Sequence, residues 1–258
     1  MKSTPSDDSL EKLKSIHTPE AIRRRLQYGP KHSYLRDFIY GAIDGAVTTF
    51  AVVSGVAGAR LSNDVVIILG LANLIADGFS MAVGNFLGTR AEQELREQAR
   101  KEEEVHIQKI PEGEREEIRQ IFAAKGFKGE DLERAVNIIT SDPKLWIETM
   151  LQEEMGMPGT GPSPVKASLS TFIAFVIVGV LPLLAFFGKW ISPQATFEPF
   201  LASAVITGLA FFIVGALKSR YVGKPWFLAG LETLFVGGAA ASLAYFVGAL
   251  LRGLASSS

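Results

Sequence analysis

The sequence predicts an all-α membrane protein with five transmembrane helices and a soluble helical insert between the second and third. A helix that crosses a bilayer needs about 20 apolar residues, and five stretches qualify: Phe38 to Ala59, Val65 to Thr89, Ala167 to Gly188, Pro199 to Leu217 and Pro225 to Leu251. Charge is segregated accordingly, since segment 90–161 holds 17 acidic and 11 basic residues and only Glu198 and Glu232 are acidic beyond it. Buried helices of a soluble protein fit poorly, because stretches this apolar leave no polar face toward water.

Basic residues predict the orientation. With five spans, all but three of the 26 Lys and Arg fall on the side of the N-terminus and the insert; the exceptions are Arg60, Lys189 and Arg252. The positive-inside rule therefore predicts a cytoplasmic N-terminus and insert and an external C-terminus. The predicted organisation is an N-terminal segment with an amphipathic helix (1–36), spans one and two (37–89), the insert (90–163), spans three to five (164–252) and a tail (253–258).

Composition excludes several classes of function. The chain has no cysteine, which excludes disulfides, thiolate metal sites and cysteine nucleophiles. A net charge of −1 gives no indication of nucleic-acid binding, so no such partner is expected. Residues 1–15 are polar and predict no cleavable signal peptide. A compact chain without a targeting signal favours a prokaryotic plasma membrane.

Local signals place further elements. The TPE sequence at 18–20 is typical of a helix start, and the arginine-rich helix after it is predicted to lie on the membrane surface and to end near the GP pair at 29–30. Glycines four apart in GAIDG (41–45) and GNFLG (84–88) favour close helix packing in lipid. Pro182 predicts a kink in the third span.

The insert is predicted to consist of three or four helices. The second span continues without a helix breaker into the polar segment 90–109. Pro111 starts another helix, which ends at Gly126. A third helix covers about 130–140 and a fourth about 143–155.

Potential metal ligands recur in pairs on single helix faces of this insert. Three pairs occur at spacings of three or four residues: Glu103 with His106, Glu114 with Glu117, and Met150 with Glu154. Glu-x-x-His with carboxylates from neighbouring helices is how helical bundles hold di-iron or di-manganese centres, and a thioether adds preference for softer metals. An ordinary solvated charged face is the alternative that spacing leaves open.

Three acids fall inside predicted spans: Asp44, Asp77 and Glu232. An ionised acid at mid-bilayer costs about 2.5–3.5 kcal/mol on insertion scales, so such residues usually face a cavity and mark an ion or proton path. Asp44 lies about two turns into its span and Met81 is on the next span, and an acid with a thioether suits a dehydrated divalent transition metal. The alternatives are a structural hydrogen bond for Asp44 and simple packing for Met81.

These features together resemble the vacuolar iron transporter family. The resemblance rests on YGAIDGAVTTFAVVSGVAGA in the first span, NLIADGFSMAVGNFLGTRAE in the second, the Glu-rich insert and SLSTFIAFVIVGVLPLLAFF in the third, and it extends over 35–252. It implies a homodimer whose path follows the two-fold axis, lined by the first spans. It also implies export of Fe2+ from the cytosol in exchange for protons.

The resemblance also assigns roles to residues. The acid of the first-span DG motif and the Met of the SMA motif line the path in that family, and they correspond to Asp44 and Met81. Metal capture falls on five positions of the insert: Glu103, Glu114, Glu117, Met150 and Glu154. The chain departs from the family pattern at His106, Leu151 and Asn85, which bears on the number of ions bound and on the choice of metal.

The sequence-based hypothesis is therefore a divalent-metal transporter and not an enzyme. The insert collects Fe2+ or Mn2+, the path residues Asp44, Asp77 and Met81 replace part of the hydration shell, and protons from the other side release the ion. Metal and protons are substrates, and no cofactor is expected to stay bound. Two alternatives remain: a membrane-anchored ferroxidase and a metal sensor that does not transport.

Overall fold

The computed structural model describes residues 7–28, 33–157, 159, 161–192, 194 and 196–255. Helix makes up 86% of the structure, and no strand occurs in the residues described. The α-helices are α1 Asp7–Ile16, α2 Pro19–Tyr28, α3 Leu35–Gly58, α4 Asn63–Lys109, α5 Pro111–Ala124, α6 Gly129–Thr140, α7 Pro143–Glu153, α8 Pro164–Gly179, α9 Leu184–Ile191, α10 Pro199–Val222 and α11 Trp226–Ala255.

Among the residues described, five helices are long and apolar enough to cross a membrane, which confirms the predicted number of spans. They are α3, the first part of α4, α8 continued by α9, α10 and α11. A 3₁₀ turn over Leu181–Leu183 joins α8 to α9 and has Pro182 at its centre. The predicted kink is confirmed there, because proline cannot donate the backbone hydrogen bond that a continuous helix needs.

The described residues before Tyr34, which include α1 and α2, form a compact unit of their own. The helix α2 begins at Pro19 as predicted, and the Thr18 hydroxyl accepts a hydrogen bond from the Ala21 N–H at 3.3 Å. The sequence analysis did not predict α1. The predicted end of α2 at 29–30 lies outside the described residues, as do 256–258 of the predicted tail. The membrane-surface position of α2 stays a prediction.

Glycines allow α3 to pack at the centre of the membrane bundle. A Cβ atom at Gly41 or Gly45 would overlap backbone atoms of Thr171 and Phe175 on α8, and one at Gly248 of α11 would overlap the carbonyl of Gly55. Such contacts replace the hydrophobic effect, which is weak between helices in lipid, with close dispersion contact. The GAIDG prediction is confirmed.

The second predicted glycine contact, in GNFLG, does not form within this chain. No atom lies within 4 Å of where a Cβ would stand at Gly84 or Gly88. The reason is geometric, because this face of α4 is exposed and no described helix of the chain covers it.

The insert consists of the second half of α4 and the three helices α5, α6 and α7, as predicted. Its apolar core brings together Ile118, Val136, Ile139, Trp146 and Met150. Two polar contacts attach α7 and the segment after it to α4. Arg96 pairs with Glu148 at 2.5 Å, and the Gln93 amide donates to the Pro162 carbonyl at 2.8 Å.

Replacing Gly45 by Ala should destabilise the bundle, because the new methyl group would have to displace backbone of α8 rather than a flexible side chain. Overpacking of this kind costs about 1–3 kcal/mol. The measurement is thermal unfolding in detergent. The matched control is Gly238→Ala, since nothing lies within 4 Å of a Cβ there. Equal unfolding midpoints for the two variants would contradict the packing described.

Candidate functional site

Two acids of the membrane bundle lie near each other. Asp44 on α3 and Asp77 on α4 are both half-buried and close enough to interact electrostatically. The side chains belong to different spans, so the pair exists only because α3 and α4 pack together. Two carboxylates that face each other in a poorly hydrated place repel unless a cation or a proton lies between them. The arrangement is thus suited to binding either ion.

A second polar contact joins the same two helices nearer the insert. The Asn85 amide of α4 donates to the Asp37 carboxylate of α3 at 3.0 Å and to the Thr171 hydroxyl of α8 at 2.7 Å. The Thr89 hydroxyl donates to the side-chain carbonyl oxygen of Asn85 at 3.3 Å. The network ties three spans together at the end of the bundle from which the insert emerges.

Helical spacing places the Asp44–Asp77 pair and the Asp37–Asn85 hydrogen bond along the same interface between α3 and α4, which we call the seam. Asp37 and Asp44 are seven residues apart, close to two full turns, so they share a face about 10 Å apart along the axis. Asp77, Met81 and Asn85 are spaced four and four on α4 and share its facing side. Half-buried Met81 therefore lies between the two contacts. From the sequence, Asp37 served only to mark the start of the first span, and its contact with Asn85 was not predicted. Its spacing of seven residues from Asp44 was a usable signal.

In the insert, two carboxyl groups are buried against each other. Glu103 of α4 is 1% exposed and Glu114 of α5 is 3% exposed, and their side chains are hydrogen-bonded to each other. One oxygen of each, Oε1 of Glu103 and Oε2 of Glu114, is buried without a hydrogen-bond partner. Buried acceptors without donors are costly. A bound cation would satisfy both oxygens at once.

The electrostatics of this pair follow from burial. Burial, followed by the hydrogen bond to Glu114 and the nearby charges of Glu154 and Glu117, raises the pKa of Glu103 to about 8. Burial and the neighbouring carboxylates also raise the pKa of Glu117. The cluster therefore holds a proton near neutral pH in the absence of another cation.

The remaining predicted ligands differ in how near they lie to this pair. His106 is largely exposed, with Nδ1 3.7 Å from Oε1 of Glu114. Glu117 and Glu154 are exposed and within electrostatic range of Glu103. Met150 is fully buried and packs in the apolar core of the insert.

Metal binding by the insert remains a prediction. Within the described ranges, no group of three or more His, Asp or Glu side chains has the spacing to hold a metal ion. The structure instead provides a buried carboxyl pair, with one imidazole and two further carboxylates at its rim. Hard oxygen donors with one imidazole nitrogen suit Fe2+ or Mn2+.

Glu232 differs from the other two acids of the spans. Its side chain is 47% exposed on the outer surface of α11 and pairs with Lys224 at 3.1 Å and Lys218 at 3.9 Å. It does not join Asp44 and Asp77 in the seam. The sequence left the role of Glu232 open, and the structure shows that Lys218 and Lys224 compensate its charge.

Comparison with known families matches this architecture. The model of the VIT family covers residues 35–249. The chain belongs to the VIT family. The matched range coincides closely with the range over which the sequence motifs resemble vacuolar iron transporters.

Individual relatives agree with this membership. The chain is 35% identical to the vacuolar iron transporter of Toxoplasma gondii over 226 residues, which cover 85% of this chain and 74% of the relative. It is 32% identical to vacuolar iron transporter 1 of Arabidopsis thaliana over 214 residues, covering 82% and 83% of the two chains. It is 27% identical to the vacuolar iron transporter of Plasmodium berghei over 256 residues, which cover 95% of this chain and 93% of the relative. VIT-family membership and the five apolar helices make this an integral membrane protein.

The raised pKa of Glu103 predicts a pH-dependent stability of the insert. A folded pKa of about 8 against an ordinary value of 4.5 means that the folded state binds the extra proton, so stability falls as pH rises through this window. The slope for one proton cannot exceed about 1.4 kcal/mol per pH unit. Glu103→Gln should flatten the dependence between pH 5 and pH 8.

The measurement is metal-free thermal unfolding of the whole chain, followed by the fluorescence of Trp146 after Trp190 and Trp226 are replaced by Phe. Trp146 packs in the core of the insert and reports on it directly. The control is Glu130→Gln, which removes an exposed acid on α6. A pH profile unchanged by Glu103→Gln would show that the proton is not held there.

Proposed function

We propose that this VIT-family protein moves a divalent transition metal, Fe2+ or also Mn2+, out of the cytosol in exchange for protons. The observation that carries the proposal is the seam between α3 and α4, where half-buried Asp44 and Asp77 lie within electrostatic range of each other in the membrane bundle. The names of the relatives support iron as the cargo. The orientation with the insert in the cytoplasm rests on the positive-inside rule.

The first step is capture by the insert. Glu103 and Glu114 have unpartnered buried oxygens, while Glu117, Glu154 and His106 lie at the rim. A divalent ion displaces the proton that burial holds on this cluster, so binding strengthens as pH rises. Met150 would take part only if its thioether left the apolar core of the insert.

The second step is entry into the seam. Asp37 is held by the Asn85 amide, which offers a neutral donor in place of a cation. An incoming ion competes with this amide for the Asp37 carboxylate. Met81 follows one turn further along α4, and the Asp44 and Asp77 pair follows one turn beyond it.

The third step is release by protons. Protonation removes the negative charge of Asp44 and Asp77 and with it the attraction for a divalent ion, so the same carboxylates serve both substrates. Protons entering from the far side thereby expel the metal toward that side. This coupling describes an antiporter, and it requires no enzyme chemistry and no permanently bound cofactor.

We further propose that the protein is a homodimer. The exposed face of α4 carries Gly84 and Gly88 with no neighbouring atoms, next to the exposed apolar residues Leu87 and Val83. Small residues on such a face allow a helix of a second copy to approach closely. The family resemblance implies a homodimer as well, with the path on its two-fold axis.

Asp44→Asn should abolish metal flux, because a neutral amide neither attracts a divalent ion nor exchanges protons. The expected loss is at least about tenfold, the lower bound for losing even a supporting group of a metal site. The measurement is uptake of Fe2+, Mn2+, Co2+ and Zn2+ into proteoliposomes, with and without a pH gradient. Asp64→Asn, an exposed acid at the start of α4, is the control.

Retained flux in Asp44→Asn would refute the assignment of Asp44. Flux that ignores the pH gradient would refute antiport but leave transport intact. Oxidation of Fe2+ by the wild type without any flux would replace the transporter hypothesis with the membrane-anchored ferroxidase.

Changing Glu103, Glu114 and Glu117 together to Gln should eliminate high-affinity binding of Fe2+ or Mn2+ by the insert. Isothermal calorimetry of the whole chain in detergent, without oxygen for Fe2+, measures this. The control changes three exposed acids, Glu92, Glu112 and Glu130, to Gln with the same loss of charge. Unchanged binding in the first variant, or equal loss in both, would mean that the buried pair is not the capture site.

A further inference from the structure

Glu232 has an unusual position for an acid in a membrane helix. It lies less than two turns from the start of α11, on a stripe that also carries Leu228, Phe235, Val236 and Leu243. All five side chains are exposed on the outside of the bundle. Charged residues within spans ordinarily face the interior of a bundle or an aqueous cavity. Glu232 instead lies on the exposed, largely apolar outer side of α11.

Two lysines surround this carboxylate. Lys224, in the turn between α10 and α11, donates to Oε2 of Glu232 at 3.1 Å, and Lys218, in the last part of α10, has Nζ 3.9 Å from Oε1. Two ammonium groups against one carboxylate leave a net positive charge. Each ammonium has three donors, and one carboxylate cannot occupy them all. Exposed Arg220 adds a further positive charge on the same short segment.

The order of the spans along the chain determines at which membrane surface the cluster of Lys218, Lys224 and Glu232 lies. The spans α8–α9 and α10 are two consecutive crossings, so the turn between α10 and α11 returns to the side of the insert. Trp226 is 60% exposed at this turn and has edge contacts with Phe212 and Phe227 at centroid distances of 5.9 and 6.3 Å. Exposed Trp is typical of the headgroup level of a bilayer. Lys224 lies in this turn and Lys218 lies one turn before the end of α10, so both ammonium groups are within reach of the headgroup level.

We infer that Lys218, Lys224 and Glu232 form a binding site for the headgroup of an anionic phospholipid in the leaflet on the side of the insert. The two lysines bind the phosphate, and the Glu232 carboxylate beside them lowers the positive charge of the cluster without cancelling it. The net positive charge favours an anionic headgroup over a zwitterionic one. The apolar stripe of α11 below the cluster receives the acyl chains.

Removing the charges one sign at a time tests the site. At a lipid site, loss of the lysines and loss of the glutamate change lipid affinity in opposite directions, whereas at a structural ion pair both losses act in the same direction. Lys218→Gln with Lys224→Gln should weaken phosphatidylglycerol binding roughly 30-fold, and Glu232→Gln should strengthen it roughly fivefold, at about 1 kcal/mol per charge near an anionic surface. A structural ion pair would make both variants worse. Lys166→Gln, an exposed lysine at the start of α8, is the matched control and should change little.

The measurement is native mass spectrometry of the whole chain with phosphatidylglycerol or phosphatidylcholine of the same acyl chains, with inorganic phosphate as a third ligand. Preference for phosphatidylglycerol that moves in opposite directions in the two variants supports the site. Equal binding of the two lipids overturns the site, and so does free phosphate that displaces both lipids to the same extent. Weaker phosphatidylglycerol binding in both variants overturns it as well. Loss of the oligomer in these variants with unchanged lipid binding would show that a second copy covers the cluster. If the double lysine variant does not fold, the sign of the Glu232→Gln effect alone decides.

Discussion

The backbone of α4 runs without interruption for 47 residues, from the membrane bundle into the insert. Inside a helix every N–H group is bonded to the carbonyl four residues earlier, so one segment crosses an apolar layer and continues into water without change. The rest of the structure depends on this continuity, since both candidate sites include residues of α4. Asp77 and Glu103 are about 40 Å apart by helical rise. The two candidate sites are therefore well separated along one continuous helix.

The polar groups of α3 and α4 lie in one seam because glycines pack the other sides of α3 closely against α8 and α11. Gly41 and Gly45 bring α3 against α8, and Gly55 brings it against α11. These contacts exclude water from two sides of α3 and leave the side that faces α4 as the place for carboxylates. The hydrogen bonds of Asn85 to Asp37 and Thr171 then hold three spans at a fixed spacing. The Asp37 carboxylate is thereby held in a fixed position in the seam.

The acids of this protein fall into two electrostatic classes. Glu103 and Glu114 are hydrogen-bonded to each other with little solvent, and burial together with the neighbouring carboxylates raises the pKa of Glu103 to about 8. Glu232 lies beside two lysines at the outer surface, where its charge is compensated. Burial without a cationic partner thus distinguishes the acids of the insert from an acid whose charge is compensated by neighbouring lysines. Composition alone does not separate the two classes.

The sequence by itself determined the five spans, the helices of the insert, the kink at Pro182 and the family, because hydrophobic length, helix breakers and contiguous motifs are local properties of the chain. Tertiary structure decided which acids meet. The pairs Asp44 with Asp77 and Glu103 with Glu114 join different helices, and their distance depends on how those helices pack. Packing also separated Glu232 from the seam and left Gly84 without a neighbour, although the same local patterns suggested otherwise. Charge spacing along one helix specifies a face, whereas the partner of that face is fixed only when the chain folds.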